Sequence, residues 1–147
     1  MATQGNQIRQ TFVAGADLSA KQYTLVTCNG VTADGENRTV VSPAAGGKAD
    51  GVVINNPRNT HAATVVVFGR TKVKAAGAIA AGAEVQTNAN GQVVTATGTN
   101  IRVGKALEAA VANQIITIDL YCACLICYRI IKLKLLTIFI RPWIPYY

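Results

Sequence analysis

Any catalytic chemistry in this chain has to be assembled from very few reactive side chains. Among 147 residues there is one histidine, His61, with four cysteines and seven acids. A Ser-His-Asp or Cys-His nucleophile would have to use His61, since imidazole is the side chain that exchanges protons near neutral pH. His61 follows Asn59-Thr60 in a polar stretch, and no Gly-x-Ser-x-Gly elbow accompanies it. It reads as a surface-loop histidine. Cys122-x-Cys124-x-x-Cys127 is the closest constellation of potential metal ligands. A structural zinc site takes four ligands, so Cys28 would have to complete the set. In a strand Cys122 and Cys124 share one face and Cys127 takes the other. The thiols therefore read as buried and apolar. Two Gly-Lys pairs invite comparison with a phosphate loop. Gly98 and Gly104-Lys105 are separated by five residues where the motif needs four, and Ala106 stands where a hydroxyl would hold Mg²⁺. Gly46-Gly47-Lys48 lacks the leading glycine and continues into Ala49. The acids are scattered without pairs. The expectation is a protein that is not an enzyme, with no cofactor, no metal and no small-molecule substrate.

The elements that would position such residues are strands. The segment 75–120 organises the chain, because most of what precedes it reads as an earlier, looser version of the same pattern. The later version opens with Ala76-Gly77-Ala78-Ile79-Ala80-Ala81-Gly82. It continues through Asn90-Gly91, Gln92-Val93-Val94, Gly104-Lys105-Ala106-Leu107 and Ile115-Ile116-Thr117-Ile118. The earlier version opens with Ala14-Gly15-Ala16-Asp17-Leu18-Ser19-Ala20. It continues through Tyr23-Thr24-Leu25-Val26, Asn29-Gly30-Val31, Gly51-Val52-Val53-Ile54 and Thr64-Val65-Val66-Val67. The spacings differ: Ala14 to Gly51 is 37 residues and Ala76 to Gly104 is 28. The pattern is a degenerate duplication, short of the three units a solenoid requires. About nine short strands, with turn signals every eight to twelve residues, predict an all-β fold, a compact small barrel or sandwich. Asn29-Gly30 and residues 88–91 are hairpin signals, and Gly69-Arg70 marks a turn or bulge after a strand over 63–68. Residues 14–20 and 76–83 read as framework turns. The two units are expected to pack across a pseudo-two-fold and close one barrel, hiding residues 64–68 and 115–120 together.

Composition supports a surface-bound life. Only 14% of residues are charged. The net charge of +7 owes much to the last 27 residues, which carry Arg129, Lys132, Lys134 and Arg141 and no acid. The rest holds ten basic against seven acidic residues, a balance of +3. That is an ordinary solvated surface, with no dense basic stripe for nucleic acid. Residues 1–12 are a Gln/Asn-rich arm, 13–120 the β domain, and 121–147 an apolar, basic tail. The longest uncharged apolar run of the tail, residues 120–128, is too short to span a bilayer. The polar start of the chain lacks a secretory core segment, so synthesis in a host cytoplasm with reduced cysteines is expected.

Gly51-Val52-Val53-Ile54-Asn55-Asn56-Pro57, Gly69-Arg70-Thr71-Lys72-Val73, residues 76–83 and Gly104-Lys105-Ala106-Leu107-Glu108-Ala109-Ala110, taken in order, resemble small tailed-phage capsid decoration, or cement, proteins. The resemblance covers about residues 2–120 and stops at the tail. It implies a β-tulip-like body and a non-catalytic virion protein on the outer surface of the capsid. There a homotrimer would bind between capsomers of the major capsid protein. The capsid-contact candidates it suggests are Gln4, Asn6, Gln7, Arg9, Arg70, Lys72, Lys74 and Trp143. Other classes are a host-surface or carbohydrate-binding β module and a membrane-active protein working through the tail. The first would want exposed aromatics on the body, and membrane binding is not expected.

Overall fold

Short β-branched runs broken by Gly, Asn and Ala turns leave no stretch with a helical period. The computed structural model describes residues 6–33, 35 and 37–121, and contains no helix among them. Its strands are β1 (Gln7–Ala14), β2 (Thr24–Val31), β3 (Arg38–Val41), β4 (Gly51–Val53), β5 (Ala62–Lys74), β6 (Glu84–Thr87), β7 (Val93–Thr95), β8 (Gly104–Ala106) and β9 (Ile115–Leu120). The sheet order β1-β3-β2-β4-β5 returns on itself, because β1 also pairs with β5, and so closes a small five-stranded barrel. The fold class read from the sequence, an all-β barrel of short strands, is what the chain adopts.

The duplication is written into the hydrogen bonding. In the first unit β1 pairs β3 in parallel, while β2–β3, β2–β4, β4–β5 and β1–β5 are antiparallel. In the second unit the end of β5 plays the part of β1. It meets β7 through a parallel bridge, Ala75 to Val93, while β6–β7, β6–β8, β8–β9 and β5–β9 are antiparallel. Equivalent bonds have equivalent lengths. Gly15 N–H donates to Val40 O at 2.8 Å, and Ala76 N–H to Val93 O at 2.9 Å. Leu18 N–H reaches Pro57 O at 2.9 Å, and Ile79 N–H reaches Ala110 O at 3.0 Å. Even a side-chain acceptor recurs: Asn55 Oδ1 takes Thr64 N–H at 2.9 Å, and Glu108 Oε1 takes Thr117 N–H at 2.7 Å.

These correspondences correct the expected packing. Each unit closes its own ring, and the two share β5, so there is no single barrel astride a pseudo-two-fold. The cores are separate as well. Phe12, Ala14, Leu18, Val26, Val40, Val53, Ala63 and Val65 fill the first. Their counterparts Val73, Ala75, Ile79, Val85, Val93, Ala106, Ile116 and Ile118 fill the second. Residues 64–68 and 115–120 thus bury into different interiors. Gly69-Arg70 is no turn, because β5 runs through it for 13 residues. Asn29-Gly30 lies inside β2, at the register shift against β3, and its hairpin turns beyond Val31. The second hairpin does turn at residues 88–92, where Asn88 Oδ1 accepts the N–H groups of Asn90 and Gln92, both at 2.9 Å. β1 begins within the segment read as an arm. Its residues 8–11 are exposed and polar except Ile8, so no alternation announces them.

One backbone detail makes a small prediction. The tight turn before each unit's last strand holds a non-glycine residue in the left-handed region, Thr60 (φ 67°) in the first unit and Asn113 (φ 65°) in the second. Asn tolerates this region and β-branched Thr does not. Thr60→Asn should raise stability by about 0.5–1 kcal/mol, read as a higher urea midpoint.

Candidate functional site

Gly69 of β5 pairs with Gln7 on β1 and with Leu120 on β9. The first and last described residues therefore emerge side by side at one end of the molecule. Between them lies a cleft of about 580 Å³ lined by Asn6, Phe68, Gly69, Arg70, Asp119, Leu120 and Tyr121. A Cβ on Gly69 would run into the carbonyl oxygen of Asn6, and its φ of +100° suits glycine alone. The close approach of β1 to β5 thus depends on this residue. Ile8 stands opposite Phe68 in register, and Ile8, Phe68 and Tyr121 are all exposed. Arg70 Nε donates to Asp119 Oδ1 at 3.2 Å across the β5–β9 pair. The rim therefore offers apolar and aromatic surface with one neutralised ion pair, which suits a protein surface.

Of the residues picked from sequence, Asn6, Gln7 and Arg70 come together here. Lys72 and Lys74 follow Arg70 on the same face of β5, across from Thr117 and Ile115 of β9. Arg9 is the first unit's counterpart of Arg70 and stands opposite Val66, where the second unit has Asp119. Gln4, Trp143 and the Cys122-Cys124-Cys127 cluster lie outside the described residues. Phe68, Asp119 and Tyr121 escaped the sequence reading. The available signal was the repeat itself, because an aromatic residue follows the last core position of each unit, Val67-Phe68 and Leu120-Tyr121.

Elsewhere the candidate chemistry does not converge. His61 Nδ1 lies 3.0 Å from Asn59 O in its own exposed turn. Gly104 opens a strand, so its Lys105 has no helix N-terminus beside it. Among the described residues no group of three or more His, Cys, Asp or Glu is placed to hold a metal. No described helix is long and apolar enough to cross a membrane.

The best-held ionisable group is Asp50. Its carboxylate accepts from Thr27 Oγ1 at 3.0 Å and Cys28 N–H at 2.8 Å, and pairs with Lys48 at 2.7 Å. Burial favours the protonated acid, but the bonds from Lys48, Cys28 and Thr27 outweigh it and hold the carboxyl below its ordinary value. The same partial burial, with the Asp50 charge, pushes the Cys28 thiol up, leaving it a poor nucleophile. A folded-state value below the unfolded one stabilises the fold above the unfolded value, and the gain is lost as pH falls through the folded one. Asp50→Asn should therefore cost about 1 kcal/mol at neutral pH. The gap between its melting temperature and the parent's should close below about pH 3.

These features define a class of fold: an all-β module of two small rings sharing one long strand. A solved structure with this architecture is the N base of head fiber gp8.5 of bacteriophage phi29, with a TM-score of 0.65 and 18% identity over 79% of this chain and 95% of that one. At that identity the likeness shows a shared fold. No family model and no curated protein sequence matches the chain.

Proposed function

We propose that this chain is a non-catalytic structural protein of a phage virion that decorates the outside of the capsid. In this reading it binds between capsomers of the major capsid protein as a homotrimer and stabilises the shell. The observation that carries the reading is the fold likeness to a phage head-fiber base, which extends over 95% of that chain. Two features support it. Among the described residues the potentially reactive groups do not converge on one site. The chain enters and leaves the double ring at one end, beside the Phe68–Tyr121 cleft. Segments on both sides of the body, 1–5 and 122–147, thus start from a common pole and would meet the same partner surface. Asn6, Gln7 and Arg70 form the rim of that contact, and Arg9, Lys72 and Lys74 extend it along β1 and β5.

The test is composition of the particle. Intact virions purified by density and size should contain this protein at a fixed ratio to the major capsid protein, measured by quantitative mass spectrometry. Protein found only in the lysate, with none on particles, overturns the proposal.

A further inference from the structure

The duplication supplies an internal control for the loop 107–115. Its backbone is held as the first unit's loop is held. Leu107 N–H donates to Thr117 O at 3.0 Å, as Ile54 N–H does to Thr64 O at 3.0 Å. Gln114 N–H donates to Val111 O at 3.2 Å, as His61 N–H does to Arg58 O at 3.0 Å. Asn113 N–H donates to Ala75 O, as Thr60 N–H does to Ala14 O, both at 2.8 Å. Two loops with one geometry carry opposite side chains. Where the first has Arg58, Asn59, His61 and Ala62, the second has Val111, Ala112, Gln114 and Ile115.

The fold therefore does not require apolar residues at these places. Yet Val111 is 64% exposed, Ile115 42% and Leu107 38%. Leu107 lies across from Thr117 on the outer face that Ile115 shares. An exposed apolar group that folding does not need points to a contact. Residues 109–118 contain no ionisable side chain, whereas the first loop carries Arg58 and His61.

We propose that Leu107, Val111 and Ile115 form an anchor for an uncharged, apolar protein surface on the assembled shell; this rests on the shell-binding reading above. The chemistry selects the occupant. A lipid surface would call for flanking basic residues, and a glycan for exposed aromatics, neither of which this loop has. Another molecule of this chain is a weaker fit, because three side chains fall well short of the roughly 800 Å² per partner of a standard interface. Such a patch works as one point of a larger contact, with binding insensitive to salt.

The test compares the full chain with V111R/I115A, which installs residues that the same backbone already carries in the first unit. Shells lacking the protein are titrated with each at low and high salt. The double variant should lose about tenfold or more in affinity with an unchanged melting temperature, and wild-type binding should change little with salt. Equal binding of the two proteins overturns this inference and leaves the shell-binding reading standing. A wild type that fails to bind shells overturns both. A variant whose free oligomeric mass differs from wild type, by sedimentation, assigns the patch to self-association and overturns the inference.

Discussion

Adding a single methyl group at Gly51 or at Gly104 will destabilise the fold by about 3 kcal/mol, although neither glycine needs an unusual φ. A Cβ on Gly51 would strike Val65 Cγ1 and sit 2.5 Å from Val66 O. A Cβ on Gly104 would sit 2.5 Å from Asp119 O. The obstacles are backbone atoms of the neighbouring strands β5 and β9, which cannot swing aside as a long side chain can. Relief would require parting β4 from β5, or β8 from β9, and each of these pairs closes a ring. The two glycines are counterparts, so Gly51→Ala and Gly104→Ala should behave alike. Gly77→Ala is the control. Its added methyl meets nothing within 4 Å, and the first unit already has Ala16 at that place. Urea denaturation should show large drops in midpoint for the first two and none for the third. A midpoint for Gly104→Ala equal to the parent's would mean that β8 and β9 are not held this closely.

Those glycines also show what could be read from the sequence. Gly51-Val52-Val53 and Gly104-Lys105-Ala106 stood out as glycine-led strands, and with the Ala-Gly turns they disclosed the repeat. The alignment slipped where signals were small and common. Asn29-Gly30 was matched to Asn90-Gly91, but the hydrogen bonding equates Cys28 with Thr87, and hence Asn29 with Asn88. Gly30 serves a register shift within a strand, and Gly91 a turn. A dipeptide favouring both uses cannot decide between them. Ring closure left no local trace. It rests on a parallel contact between Val13-Ala14 and Thr39-Val40, and on one bridge in the second unit. β1 was hidden for the opposite reason. Its outer residues face solvent, and only pairing with β5 makes it a strand. At the proposed contact pole Arg70 was noticed as a charge, but its neutralisation by Asp119 requires the β5–β9 register.

The clearest consequence of the duplication lies where the two units differ, and it yields a second large effect. Leu25 pairs with Val52 across β2 and β4; their counterparts Glu84 and Lys105 pair across β6 and β8. In the first unit this outward pair is fully buried and belongs to the core of the second ring. Leu25 N–H also donates to Gly91 O at 2.6 Å, one of several bonds joining the rings, with Lys74 N–H to Tyr23 O at 2.8 Å and Gly46 N–H to Thr87 O at 2.8 Å. In the second unit the same face stays in water, and Glu84 pairs there with Arg102. The units therefore stack in one direction, and charge ends the stack after two. Leu25→Ala should cost about 3 kcal/mol by opening a cavity between the rings. Glu84→Ala, at the equivalent place, removes only an exposed ion pair and should cost less than about 1 kcal/mol. Unfolding followed by far-ultraviolet dichroism and by exposure of the Cys28 thiol should remain one coincident transition in the parent, since β5 belongs to both rings. Equal losses for the two variants would mean that the rings do not pack through Leu25, and the one-directional stack would have to be abandoned.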